Sequence, residues 1–193
     1  AVTRPNSAYG EAIRTIRTAL MLSHAENPPR TIIVTSAVSG EGKSSLSLSL
    51  ASLAARSGQR CIVLDADLRH ANLHQLLEQP NASGLSDYLA GRVPLDEAIE
   101  IDPTSGVHYI TAGSRAPHPA DLLGSLQMRA LIRNLSSRYD LVVIDTPPLL
   151  AVSDALMLVR HVDHTVFVVR WEKTRRETAI AGLKQLMDAG ANM

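Results

Sequence analysis

A β-branched run, Thr31-Ile32-Ile33-Val34-Thr35, leads into Ala37-Val38-Ser39-Gly40-Glu41-Gly42-Lys43-Ser44, and that octet opens an apolar-periodic stretch carrying Leu46, Leu50, Leu53 and Ala54. Strand, tight loop and helix in that order leave few folds open. Gly40 and Gly42 let the backbone turn sharply and aim its N–H groups inward. The helix N-terminus adds positive partial charge at the same point. Lys43 is placed to reach the β- and γ-phosphates of a nucleotide, and the Ser44 hydroxyl to ligate Mg²⁺. This is a phosphate-loop (Walker A) pattern with Ala37 where glycine is more usual. The expected nucleotide contacts are Ser39, Gly40, Glu41, Gly42, Lys43, Ser44 and Ser45, and the implied ligands are ATP and Mg²⁺.

The same alternation runs along the whole chain. Strands are expected at Thr31–Thr35, Cys61–Asp65, Val107–Thr111, Leu141–Asp145 and His164–Val169, short and apolar on both faces, as strands of a buried parallel sheet are. Helices are expected at Ser7–Ser23, Lys43–Ser57, His74–Leu77, Gly84–Ala90, Leu95–Glu100, Ala120–Ser137, Ser153–Arg160 and Arg175–Ala189. Gly58 reads as the residue that stops the phosphate-loop helix, and Ser153-Asp154 and Thr174 as N-caps. Strands separated by helices imply right-handed crossovers. The fold class is therefore α/β, a three-layer P-loop NTPase fold with a mostly parallel central sheet flanked by helices. Residues 1–193 read as one domain. The irregular stretch Gly113–Pro119 follows a strand and falls on the sheet edge where ligands of such folds bind.

Composition narrows the partners. The formal net charge is zero and aromatic residues make up 3% of the chain, so neither a basic nucleic-acid footprint nor a base-stacking platform is expected. The single cysteine, Cys61, sits in an apolar strand and reads as a packing residue of a reducing compartment. No run of about 18 apolar residues suggests a membrane span. The start at Ala1, with no signal-like segment, and the stop at Met193 read as the limits of a piece excised from a longer chain.

A phosphate loop needs carboxylates, and two strand ends supply them. Leu141-Val142-Val143-Ile144-Asp145 is an apolar strand closing in Asp, the Walker B arrangement, whose carboxylate would hold Mg²⁺ directly or through water. Thr146-Pro147-Pro148 gives it a stiff exit. The second is Cys61-Ile62-Val63-Leu64-Asp65-Ala66-Asp67-Leu68-Arg69. Residues two apart in a strand share a face, so Asp65 and Asp67 are expected to converge on one Mg²⁺–phosphate centre, each raising the other's proton affinity. One of them would orient or deprotonate an incoming hydroxyl, a role expected of Asp65, with Asp67 supporting the metal shell. The expected catalytic set is Lys43, Asp65, Asp67 and Asp145; the expected metal set is Ser44, Asp65, Asp67 and Asp145.

With these motifs in place the chain resembles the bacterial tyrosine kinases, autokinases that control capsule and exopolysaccharide export. That family carries Walker A, a Walker A′ motif (apolar run, then Asp-x-Asp-x-Arg) and Walker B, here Ala37–Ser44, Cys61–Arg69 and Leu141–Asp145. The resemblance extends to Gly84–Gly91, to Thr111-Ala112-Gly113 and Pro117–Leu123, and to Asp145–Pro148. It implies phosphorylation of protein tyrosines, self-association into a ring, a transmembrane activator fused or separate, and a place on the cytoplasmic face of the bacterial inner membrane. It also implies that Glu11, Arg14 and Arg17, matching a Glu-x-x-Arg-x-x-Arg element, mediate ring assembly. Helical geometry puts those three on one stripe and Ile13, Ile16 and Leu20 on another.

The chain departs from the family in three places. Arg69-His70-Ala71-Asn72 lacks a proline usual there, Ser39 stands where proline is frequent, and a further strand with a tyrosine-rich tail is absent. Tyr9, Tyr88, Tyr109 and Tyr139 are scattered and read as packing residues. The alternative is a switch ATPase of the partitioning or division-positioning type. Such proteins carry an early signature lysine in Walker A; here that position is Val38. The histidine pairs His70/His74 and His161/His164 lack a third ligand and read as surface or capping residues.

Overall fold

Each central strand sends successive side chains to opposite faces, and both faces are apolar, so the sheet needs a helical layer on each side. The computed structural model describes residues 7–23 and 27–193. Its six strands are β1 (Thr31–Ser36), β2 (Cys61–Asp65), β3 (Glu100–Ile101), β4 (His108–Ile110), β5 (Leu141–Asp145) and β6 (His164–Val168). They lie in the order β3-β4-β2-β5-β1-β6. All neighbours are parallel except β3 and β4. The helices are α1 (Ala8–Leu22), α2 (Lys43–Arg56), α3 (Leu73–Leu76), α4 (Leu85–Leu89), α5 (Leu95–Ala98), α6 (Pro119–Leu123), α7 (Leu126–Arg138) and α8 (Arg176–Asp188).

Two apolar layers follow from the alternation. Ile32, Val34, Val63 and Val143 face Leu50, Ala51 and Ala54 of α2, with Ile13 of α1 and Leu73 of α3. Ile33, Ile62, Leu64 and Ile144 face the other way, onto Leu131 and Leu135 of α7 and Leu186 of α8. Burying each of the Val, Leu and Ile side chains here contributes about 1.5–3 kcal/mol. Cys61 lies in the first layer, where burial pushes its thiol up to about 12, so it packs as an inert apolar group.

Four expectations need correction. The single helix Ala120–Ser137 is two, because the Ser125 hydroxyl accepts the Met128 N–H at 3.1 Å and starts α7 afresh. Ser153–Arg160 forms two 3₁₀ turns, Asp154–Met157 and Val159–His161, and Ser153 makes no side-chain cap. Thr174 does not cap α8; Arg175 holds that position and the Thr174 hydroxyl goes to Glu41. Glu100 is the start of β3 and not the end of a helix. Two residues are too short to show a period, but the Asp102–Gly106 turn was the available signal: the Asp102 carboxylate accepts the Ser105 N–H at 2.9 Å and Gly106 has φ +71°. Gly58 stops α2 as expected, with φ +84° and its N–H on the Ala55 carbonyl.

Candidate nucleotide-binding and phosphoryl-transfer site

The loop between β1 and α2 is shaped by Gly40 and Gly42, at φ +78° and +91°. Gly42 occupies the N-cap position of α2 with no side chain to satisfy the first-turn N–H groups, so those donors face the loop's hollow. Ala37 is fully buried without positive φ, so a Cβ there is unstrained; this is why the chain does without glycine at that position.

The loop is braced on both sides. Glu41 is nearly buried; its Oε2 accepts the Val38 N–H at 3.0 Å, and its Oε1 accepts the Arg170 N–H at 3.2 Å and the Thr174 hydroxyl. Burial alone would push its carboxyl up and make it a weaker acid, yet these bonds win and hold the carboxyl below its usual range. Arg170 also donates to the Gly40 carbonyl at 3.2 Å. On the other side, Leu149 and Leu150 donate to Ser36 and Ala37 at 2.9 and 3.1 Å. The Glu41 side chain is thus occupied structurally, and only its backbone remains for a ligand.

A cleft of about 540 Å³ opens above the loop, lined by Ser39, Gly40, Gly42, Lys43, Ser44, Ser45, Asp67, His70, Ala71, Asn72 and Gln75. Asp65 and Asp67 lie together, the Asp67 N–H on Asp65 Oδ1 at 3.1 Å and the Asp67 charge acting on Asp65 and Asp145, but the two side chains sit in different surroundings. The strand ends at Asp65, so alternation stops before Asp67. Asp67 lines the cleft, its Oδ1 accepting the His70 N–H at 2.9 Å. Asp65 is fully enclosed, accepting the N–H groups of Asp67 at 3.1 Å, Asn72 at 3.2 Å and Leu73 at 3.1 Å. It has no face on the cleft and shapes its floor instead.

A second carboxylate beside Asp65 is Asp145, its register partner on β5. Both are pushed up: Asp65 to about 8 by burial and then by the Asp145 charge, Asp145 to about 7 by burial. Hydrogen bonding from Ser44, the charge of Lys43 and a Ser47 hydroxyl at 3.4 Å pull Asp145 partly back. Asp145 therefore stands behind Ser44, the side chain that lines the cleft. Two buried carboxyls held toward neutrality favour a nearby cation. The donor set (a serine hydroxyl, carboxylates and room for water) is the hard-oxygen kind that suits Mg²⁺. Among the described residues no group of three or more His, Cys, Asp or Glu side chains could hold a metal on its own, so phosphate and water oxygens would complete the shell.

Three features escaped sequence reasoning. Arg69 makes a bidentate pair with buried Asp154, at 2.7 and 3.1 Å. Residues 83–87 cross 111–114: Leu85 and Ser86 donate to the Thr111 and Ala112 carbonyls, and Asp87 Oδ2 accepts from Gly84 and Ser114. Third, Arg17 is not free on its stripe; it donates to Gln59 Oε1 at 2.9 Å and Ser57 Oγ at 3.4 Å, while Glu11 pairs with Arg14. Ile13 is buried and Ile16 and Leu20 pack beside it, as expected.

A parallel sheet whose first strand feeds a glycine loop, with an aspartate closing the adjacent strand, defines a P-loop nucleotide-binding domain, and residues 29–191 match the family described as AAA domain. Within that class the chain belongs to the bacterial tyrosine-protein kinase family. It is 36% identical over all 193 residues to the tyrosine-protein kinase Etk of Escherichia coli K12, spanning 27% of that protein's length. It is 35% identical to the tyrosine-protein kinase YwqD of Bacillus subtilis, over 93% of this chain and 76% of the relative. The solved kinase domain of E. coli Etk superposes with a TM-score of 0.95 at 36% identity, covering 100% of this chain and 75% of that one.

Proposed function

We propose that this chain is the ATP-binding domain of a protein-tyrosine autokinase that regulates polysaccharide synthesis and export. One observation carries the reading: Lys43, Ser44 and Asp67 line a single cleft, with Asp145 directly behind Ser44. Family membership supplies the tyrosine. The loop N–H groups from Ser39 to Ser45 and the Lys43 ammonium hold the phosphates of ATP. Ser44, backed by Asp145, would hold Mg²⁺, whose charge would offset that of the phosphates. Asp67, the carboxylate that reaches the cleft, orients the tyrosine hydroxyl; Asp65 holds the Asn72–Leu73 turn and with it the cleft floor. A free phenol titrates near pH 10, so the Asp67 carboxylate works by positioning rather than by full deprotonation.

The acceptor tyrosine belongs to a neighbouring copy in a ring, and Glu11 and Arg14 on the exposed side of α1 form that contact, with Arg17 anchoring the helix to the end of α2. Added phosphate charge would loosen such a ring by repulsion. The activator is a membrane-spanning segment, fused or separate, placing the domain at the cytoplasmic face of the inner membrane. Among the described residues no helix is long and apolar enough to cross a membrane.

The deciding experiment is mass spectrometry of the natural full-length protein after exposure to Mg²⁺-ATP. Phosphotyrosine should appear, and vanish in Lys43→Ala and Asp67→Asn. Release of inorganic phosphate with no modified tyrosine would replace this reading with the switch ATPase.

A further inference from the structure

The nucleotide cleft does not end at His70. His70 and Ala71 also line a second cavity of about 550 Å³, walled by Arg69, Asn81, Gly113 and Arg115. No acidic side chain lines it. Its wall is fixed: the Asn81 amide exchanges two hydrogen bonds with the Gly113 backbone, at 3.0 and 2.8 Å. Arg69 is held in place by Asp154 yet keeps 38% of its side chain exposed. Arg115 is exposed and has no hydrogen-bond or ion-pair partner among the described residues. Arg115 brings a guanidinium with no carboxylate partner among the described residues, and Arg69, already paired with Asp154, adds its exposed edge, so the preformed hollow suits a planar or tetrahedral anion.

We propose that this cavity takes an anionic side chain of the acceptor segment, close in sequence to the tyrosine that receives phosphate. The inference rests on the kinase reading above. A segment that brings a hydroxyl to Asp67 from this side lays its neighbouring residues across His70 and Ala71, and so into the cavity. Carboxylate and phosphotyrosine carry the required chemistry alike.

The test uses three tyrosine peptides that differ at one position two residues from the acceptor, holding Glu, phosphotyrosine or Gln. Each is titrated by fluorescence anisotropy against protein loaded with Mg²⁺ and a non-hydrolysable ATP analogue. At least one anionic peptide should bind about fivefold or more tighter than the Gln peptide, the gap shrinking as salt rises. Arg115→Gln should remove the gap and Arg115→Lys should keep part of it, with unchanged melting temperatures because the side chain is exposed and unpaired. Which anionic peptide gains identifies the source. Equal binding of all three peptides, no binding, or a gap that survives Arg115→Gln overturns the proposal. Phosphate transfer to the same peptides is scored separately. An anion preference without transfer counts against the kinase reading, and transfer without preference counts against the cavity.

Discussion

Asp65 and Asp145 stand side by side at the carboxyl ends of adjacent parallel strands, both fully buried, with the Ala66 N–H donating to the Asp145 carbonyl at 2.8 Å. Their neutral forms are favoured in the fold because burial penalises charge, and the Asp145 charge on Asp65 and the Asp67 charge on both add repulsion. The folded protein therefore binds more protons than the unfolded chain between the ordinary carboxylate value of 3.8 and about 7 to 8. Stability is then greatest at the acid side of that window and falls as pH rises through it. In EDTA the melting temperature should drop by several degrees from pH 5 to pH 8. Mg²⁺-ATP should flatten the slope, and Asp65→Asn should reduce it without nucleotide. A melting temperature that climbs over the same range in EDTA would show the pair to be ionised and matched.

Asp154 is buried and its bidentate partner Arg69 lies 85 residues earlier in the chain. The pair ties the Asp67–Arg69 segment to the turn that follows β5. Removing the carboxylate strands a guanidinium and frees that segment. Asp154→Ala should cost about 2 kcal/mol in urea unfolding and weaken Mg²⁺-nucleotide binding, while Asp154→Asn should lose less of both. Isothermal titration beside the unfolding curve separates the two effects.

Glu41 couples the phosphate loop to the segment Arg170–Thr174, and Trp171, the chain's single tryptophan, projects from that segment with 86% of its surface exposed. Glu41→Ala cuts three bonds at once. The steady-state anisotropy of Trp171 should fall and nucleotide affinity should weaken about tenfold. Unchanged anisotropy would mean that the Arg170–Gly40 bond alone holds the segment.

Gly84 touches backbone so closely that a Cβ would sit 2.2 Å from the Thr111 carbonyl oxygen and 2.6 Å from the Gly113 nitrogen. Neither neighbour is a flexible side-chain tip. Gly84→Ala should destabilise by on the order of 3 kcal/mol, read by urea unfolding, whereas Gly91→Ala, with open space around its Cβ at φ +71°, should lose about 1 kcal/mol through backbone strain alone.

Much of this molecule was legible from local pattern. The strands Cys61–Asp65 and Leu141–Asp145 matched their expected bounds, because a short β-branched run between turn residues admits one conformation. The phosphate loop was legible because Gly40 and Gly42 announce positive φ by their chemistry. Helices broken by a single cap, such as Ser125, were not, since the apolar period continues unchanged across the break.

The sequence by itself determined most of the elements, the two apolar faces and the side chains able to meet a phosphate, all through contacts a few residues apart. Only the tertiary structure decided which aspartates are neighbours. Asp65 meets Asp145 as well as its chain neighbour Asp67, because β2 lies beside β5, and Arg69 meets Asp154 for the same reason. Strand order is set by how two helical layers close over one sheet, a balance summed over the whole core, and no local stretch of residues encodes it.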